Sequence, residues 1–358
     1  MESETSAILD RYFHKREEDE LFSGVVRISN DDSVLYTKAF GYANRAWEIP
    51  NQVDFRFDTA SVTKLFTAVA ILQLIDQQHF NLDTSVVDYL NLEGTAISPS
   101  VNVFHLLTHT SGIADDCEEE DNEDYEQSWL SEPCYVVTET NHFLHRFAHK
   151  EPNFEPGAGC RYCNCSFILL GLMIEQASGM KYRDYIRQNV FHAIGMNDSD
   201  FLHLGYVSER MAEGYDRIVC QSTQQVTYKK SIFAFPPIGS PDSGAYVTAY
   251  DLELFLRAVM QGRLLSPDMT RLFFEPQVFY RRNDTWEYRH GIVWLFYIDS
   301  AGEVVCFQKE GYNAGVSAVI RYYPAHSIYA TILSNMAEGA WEPVQEVHRM
   351  VCGGYFSS

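Results

Sequence analysis

At 358 residues and 46% hydrophobic content, the chain can bury a sizeable core, and its length fits one large or two intimate domains. A formal net charge of -22 excludes the basic face that nucleic acid or an anionic membrane would need as a partner. The longest apolar stretch, residues 167–174, is too short to span a bilayer, and residues 1–5 lack the basic and apolar regions of a signal peptide; a cytoplasmic location and free thiols for the eight cysteines are therefore expected.

Ile8, Leu9, Tyr12 and Phe13 recur at helical spacing among charges and predict an N-terminal amphipathic helix. Residues 22–29 and 34–40 read as strands around the turn sequence Asn30-Asp31-Asp32-Ser33, hence a hairpin. The apolar run 65–75 predicts a buried helix capped by Asp58 and Thr59. From 61 to about 231 the pattern is mainly helical, with helices at 103–108, 165–177 and 182–191, the second ending before Gly179 at its C′ position. Thr248 with Asp251 opens a helix over 252–261. Strands follow at 288–298, 304–308, 316–323 and 327–334, then a closing helix at 342–350. Short connections between strands imply an antiparallel sheet, which the two N-terminal strands join for want of another partner. The expectation is an α/β (α+β) fold in which residues 1–60 and 236–358 form a sheet domain and the mostly helical segment 61–235 is inserted into it.

Ser61-Val62-Thr63-Lys64 places a hydroxyl and an amine one helical turn apart on one face. A serine hydroxyl is a poor nucleophile until something takes its proton, and an amine whose pKa is depressed by burial can do so. Alone the spacing is common, and a capped surface helix explains it equally well. Partners appear downstream. Tyr162-Cys163-Asn164 precedes the helix at 165–177, and Lys309-Glu310-Gly311 ends an apolar strand. Two flanking ammonium groups, Lys64 and Lys309, would lower the tyrosine pKa from about 10, and Asn164 could hold Lys64 while donating to a substrate carbonyl. Singly, each group reads as a helix turn or a charged strand end; all three in order do not.

With these residues the chain resembles the serine β-lactamase-related family of class C β-lactamases, D-Ala-D-Ala carboxypeptidases and esterase relatives, over roughly residues 20 to 340. Leu106-Leu107-Thr108-His109-Thr110-Ser111-Gly112, Phe154-Glu155-Pro156-Gly157 and the segment 243–252 add to the likeness. The resemblance implies a five-stranded antiparallel sheet flanked by the terminal helices, with the active site between sheet and helical domains. It implies Ser61 as acylated nucleophile, Lys64 and Tyr162 sharing proton transfer with Tyr162 as the base, and Asn164 and Lys309 as substrate-positioning groups. The oxyanion hole would be the backbone N–H groups of Ser61 and Tyr312, the residue after Gly311. No metal or organic cofactor is implied, and the partner is a small-molecule or peptide substrate.

Glu310 stands where the family usually has threonine, and a glutamate there would repel a substrate carboxylate unless its side chain faces away. The acidic run 118–126 reads as a solvated loop, with an electronegative rim attracting amine-bearing substrates as the alternative. His105 with His109, the group His142, His145 and His149, and the crowded Cys160, Cys163 and Cys165 lack the spacing of a catalytic metal motif and read as structural. The reading is a serine hydrolase cleaving an ester or amide through a Ser61 acyl-enzyme. A general esterase or peptidase comes first, then a D-amino-acid-specific peptidase or amidase, then a β-lactamase or carboxypeptidase. The competing class is a penicillin-binding sensor without turnover.

Overall fold

A computed structural model describes residues 4–121, 123–130 and 132–356. The chain begins with helix α1 (Glu4–Glu18), whose Leu9 and Phe13 are fully buried as their spacing predicts. Strands β1 (Gly24–Ser29) and β2 (Val34–Phe40) form the expected hairpin. Phe13 packs its ring 5.0 Å from Phe22 and 5.3 Å from Phe40, fastening α1 to the sheet.

Two helices form the centre of the other half. Helix α2 (Lys64–Asp76) is buried at every residue from Lys64 to Leu72. Helix α3 (Cys165–Ser178), ending at left-handed Gly179, packs against it and is equally apolar all round. Such helices carry little amphipathic signal because protein surrounds them on all sides. Helix α4 (Ala249–Met260) starts at Thr248, whose side chain accepts the Asp251 N–H.

Six strands then follow: β3 (Val278–Arg282), β4 (Glu287–His290), β5 (Leu295–Ile298), β6 (Val304–Asn313), β7 (Val316–Tyr323) and β8 (Ile328–Ser334). Helix α5 (Trp341–Cys352) closes the chain. All eight strands form one antiparallel sheet in the order β2-β1-β8-β7-β6-β5-β4-β3. Successive central residues face opposite cores. Val26, Val319 and Ile332 pack toward α1 and α5, while their neighbours Val25, Ile320 and Leu333 join the larger cluster around α2, α3 and α4.

The mixed α/β class with an antiparallel sheet is as expected, but the sheet has eight strands instead of five. Residues 288–298 double back as two strands: the Gly291 N–H bonds Trp294 O, and Val293 takes a left-handed φ of 72°. Strand β3 escapes detection because, as an edge strand carrying Arg281 and Arg282, it has one open side and little apolar pattern. Strand β6 runs five residues past the predicted end at 308, into the site. A hairpin, Asp216–Val219 with Val226–Lys229, interrupts the segment expected to be mainly helical. The predicted helix at 182–191 is helical through Ile186 and then widens to a π turn over Arg187–Phe191. No helix of the described residues is long and apolar enough to cross a membrane.

Candidate active site

Ser61 lies on one turn of 3-10 helix, Ala60–Thr63, that leads into α2. The turn is entered through Ala60, whose φ of 44° costs about 1–2 kcal/mol for a residue with a Cβ. Neighbouring groups hold that conformation. The Ala60 N–H donates to Asp58 Oδ1 at 2.7 Å, and Thr59 Oγ1 donates to Ala245 O at 2.8 Å. Asp58 thus braces the 3-10 turn and does not cap the helix as predicted: α2 begins at Lys64 after Thr63 with no side-chain cap, and Thr59 ties the turn to a neighbouring segment. From the sheet side, β6 presses Gly311 onto the turn: a Cβ there would lie 2.1 Å from Thr59 O and 2.9 Å from Ser61 N.

Lys64 is fully buried, and its Nζ has three oxygen neighbours: Asn164 Oδ1 at 2.7 Å, Asp242 O at 2.8 Å and Ser61 Oγ at 3.0 Å. Burial pushes its pKa down, partly opposed by Asp242, Glu119 and Asp115. In the neutral amine, two N–H groups serve Asn164 Oδ1 and the Asp242 carbonyl, which can only accept. The lone pair is left facing the Ser61 hydroxyl, the one partner that can donate.

Tyr162, Cys163 and Asn164 are held by groups remote in sequence. Asn164 occupies the N-cap position of α3 without capping it. Asp115 does so in its place, accepting the N–H of Asn164 at 2.6 Å and of Cys165 at 2.9 Å. The Asn164 side chain is thereby free to reach Lys64. Its Nδ2 donates to Glu119 Oε1 at 2.8 Å and to Tyr125 Oη at 2.7 Å. Both amide hydrogens are therefore used inside the protein, contrary to the expectation that Asn164 donates to a substrate carbonyl. The Tyr162 N–H donates to Glu120 Oε1, and the Cys163 N–H to His109 Nδ1. The His109 ring lies 4.5 Å from the Tyr162 ring.

The amines of Lys64 and Lys309 sit 5.1 and 4.8 Å from the centre of the Tyr162 ring, and Lys309 Nζ is 3.5 Å from the Tyr162 hydroxyl. Lys309 is lowered to about 7 by burial and by Lys64. The expected lowering of the Tyr162 pKa does not occur. Burial and then Glu119 push it well above 10, and its hydrogen bond with Ser61, which pulls the other way, does not offset them. Tyr162 is therefore held as the neutral phenol.

Lys309 and Gly311 of β6 face Ser61, and Gln308 and Glu310, joined by a 3.0 Å bond from Gln308 Nε2 to Glu310 Oε2, also line the cleft beside them. The side chain of Tyr312 is 56% exposed beside the cleft. A cavity of about 420 Å3 opens from Ser61 past Tyr162, Tyr280, Arg281, His290 and Lys309. A smaller one of about 50 Å3 runs from Ser61 past Asn164, Tyr125, Trp129 and Asp242. Ser61, Glu119 and Tyr312 line both.

All seven residues singled out from the sequence thus converge here. Sequence reasoning missed Asp115, Glu119, Tyr125, Asp242 and His290 as members of the site. The acidic run was the one available signal. The run is largely exposed, as a solvated loop would be, but it also holds the site: Glu118 accepts the Asp115 N–H and pairs with Arg161, and Glu119 and Glu120 bond the Tyr162–Asn164 segment. His105 serves a helix-capping box, His145 pairs with Glu132, and all eight cysteines are free. Asp115, Asp116 and Cys165 bring ligand atoms within 4.8 Å of one another. Their oxygens are already engaged, Asp115 by the α3 N–H groups and Asp116 by Arg146.

The beta-lactamase family model matches residues 9–351. A penicillin-binding protein of Bacillus subtilis is 28% identical over 345 residues, covering 92% of this chain and 72% of its own. The crystal structure of a penicillin-binding protein from Bacillus halodurans superposes with a TM-score of 0.86 at 32% identity, covering 94% of this chain and 99% of that one. Esterase EstB of Burkholderia gladioli is 30% identical over 201 residues, 55% of this chain and 50% of the esterase. With a family model spanning nearly its whole length, the chain belongs to the beta-lactamase family of serine hydrolases.

Proposed function

We propose that this hydrolase cleaves an ester or amide by transferring the acyl group to Ser61 and then to water. The observation that carries the reading is the environment of Lys64, buried and bonded to two pure acceptors so that its lone pair faces the Ser61 hydroxyl. In acylation, Lys64 takes the Ser61 proton as Oγ bonds to the carbonyl carbon. Tyr162 gives its phenolic proton to the leaving oxygen or nitrogen as that bond breaks, and Lys64 returns a proton to Tyr162. In deacylation water attacks the ester carbon, Lys64 accepts its proton and then passes it to Ser61 Oγ as the acyl–oxygen bond breaks, which restores the hydroxyl and the neutral amine. The backbone N–H groups of Ser61 and Tyr312 would receive the oxyanion, a placement supported by the pressing of Gly311 against the Ser61 turn. Lys309, ionised in part near neutrality, would stabilise the transient phenolate of Tyr162. In this assignment Lys64 is the base and Tyr162 the acid. The cleft would separate the sheet domain, residues 1–60 and 236–358, from the helical insert.

The substrate class proposed first is a small ester or peptide-like amide. The second reading is acylation by penicillin, favoured by the names of two relatives. Intact-protein mass after exposure to a fluorophosphonate, to a penicillin and to a short p-nitrophenyl ester tests both. Labelling by fluorophosphonate and ester turnover are expected, with turnover reduced at least about 10^4-fold in Ser61→Ala. A durable penicillin adduct on Ser61 would move the assignment to a penicillin-binding protein. No adduct and no turnover from any of the three would overturn the hydrolase mechanism.

A further inference from the structure

His290 ends strand β4 at the wall of the cleft. Its backbone carbonyl accepts the Gln277 N–H at 2.8 Å, and the turn that follows is tied by the Val293 N–H to Leu107 O at 3.2 Å, two residues before His109. The two imidazoles therefore meet, with ring centres 5.2 Å apart, inside a row of four rings: Tyr162 lies 4.5 Å from His109, and Tyr280 lies 4.9 Å from His290. His109 is the buried support of this row, its Nδ1 occupied by the Cys163 N–H. His290 is only 7% exposed, yet it lines the larger cavity. Its Nδ1 is enclosed without a hydrogen-bond partner among the described residues, so the nitrogen that meets the cavity is Nε2.

Burial, with Lys309 and Arg281 nearby, lowers the His290 pKa to about 3, so near neutrality the ring is uncharged and carries one hydrogen. Enclosed donors without an acceptor are rarer than enclosed acceptors without a donor, which puts that hydrogen on Nε2, facing the cavity. Two neighbouring neutral donors are committed elsewhere. Gln308 Nε2 donates to Tyr297 Oη and to Glu310 Oε2, each at 3.0 Å, and Tyr280 Oη lies 3.5 Å from Glu120 Oε1. Position then decides which part of a substrate His290 meets. The row of rings begins at Tyr162, the group that protonates the leaving atom, so the larger cavity receives the leaving group and the smaller one, past Asn164, is left for the acyl chain.

We propose that His290 selects the leaving group: its Nε2–H donates to an uncharged carbonyl oxygen on an alcohol or amine whose flat body lies along the row from Tyr162 to Tyr280. The proposal rests on Ser61 being the acylated nucleophile and Tyr162 the acid. Three carboxylates, Glu119, Glu120 and Glu310, line the same cavity against Arg281 and a part-ionised Lys309, so a neutral acceptor meets less repulsion there than a carboxylate. The aromatic walls take the apolar body, and one fixed donor in an otherwise ring-lined pocket sets its orientation.

The test holds the acyl group constant as acetate and varies the leaving phenol: 4-butylphenol, and the two phenols whose butyl chain carries a ketone at its second or third carbon. Saturated carbon separates the ketone from the ring, so the phenols leave with similar ease and differ by an acceptor oxygen. Phenol release at pH 7 gives kcat/KM for the wild-type chain, for His290→Phe, which keeps a ring without nitrogen, and for His290→Gln, which keeps an N–H. The expected result is a preference of about fivefold or more for one ketone ester over the butyl ester, carried by KM, that falls to near unity in His290→Phe and is partly kept in His290→Gln. A wild-type chain that hydrolyses the butyl ester as well as both ketones overturns the proposal without any variant. So does a preference that survives in His290→Phe. Each comparison is a ratio within one variant, so a lower folded fraction cancels. Hydrolysis of 4-butylphenyl acetate with fluorophosphonate labelling of Ser61 keeps the hydrolase mechanism when the preference fails; absence of both removes the mechanism and the proposal together.

Discussion

The site is assembled from two halves held by different forces. The Ser61–Lys64 half stands on packing: Lys64 opens a helix buried on every side, and the preceding turn is clamped between Asp58, Ala245 and the backbone of Gly311. The Tyr162–Asn164 half stands on hydrogen bonds and charge. Its backbone N–H groups go to Asp115, Glu120 and His109, and its amide side chain to Glu119 and Tyr125. Packing is insensitive to pH and intolerant of added volume. A polar frame of carboxylates tolerates volume better and responds to protonation.

Adding one methyl group to the packed half breaks it most severely. Gly311→Ala places a Cβ 2.1 Å from Thr59 O, so strand and turn must separate. Loss of about 1–3 kcal/mol in urea unfolding and a drop in kcat/KM of about 100-fold or more are expected, the latter because misplacing a nucleophile by an ångström costs that much. Near-wild-type activity would mean that the clamp on Ser61 is dispensable.

The corresponding break in the polar half is Asp115→Ala, which leaves the N–H groups of Asn164 and Cys165 without their acceptor. Asp115 is raised to about 7, chiefly by burial, so at pH 6 it is mostly protonated and the substitution relieves little buried charge. A stability loss of about 1–3 kcal/mol is expected there, with about a tenfold drop in ester turnover. Because the raised pKa means that the folded chain binds the proton more tightly than the unfolded one, this group lowers stability as pH rises from about 4 to 7. The cost of Asp115→Ala should therefore shrink at pH 8; a cost that grows with pH would contradict the assignment.

The smallest effect sharpens the boundary between the halves. Lys309 reaches from the sheet to Tyr162 and is lowered to about 7, so it loses its charge as pH rises through neutrality. The kcat/KM profile should show an alkaline limb near that value, worth a few-fold in rate. Lys309→Arg keeps its charge and should lack the limb. A limb that persists unchanged in Lys309→Arg assigns it to another group.

The nucleophile half is legible in the sequence because local rules govern it. Ser61 and Lys64 share a face at any helical i, i+3 spacing, and the apolar run 65–75 demands burial. The motif residues Tyr162, Asn164, Lys309, Gly311 and Tyr312 are legible as an ordered set, and the structure gathers them around one cleft. The strand count was not, since Val293 turns a run of apolar residues back on itself and β3 shows too little apolar pattern to announce an edge. Nor was the polar frame: the acceptors for Asn164, namely Asp115, Glu119 and Tyr125, come from 39 to 49 residues away, a separation no local pattern bridges.

From the sequence alone follow the mixed α/β class, the serine and its amine one turn apart, and the motif residues Tyr162, Asn164 and Lys309 that gather around them. Only the tertiary structure decided which of them holds the proton. Tyr162 is kept protonated and Lys64 is pushed toward the neutral amine because a pKa follows burial and the charges nearby, and here those charges come from Glu119, Asp115 and Asp242, brought to the site by the fold.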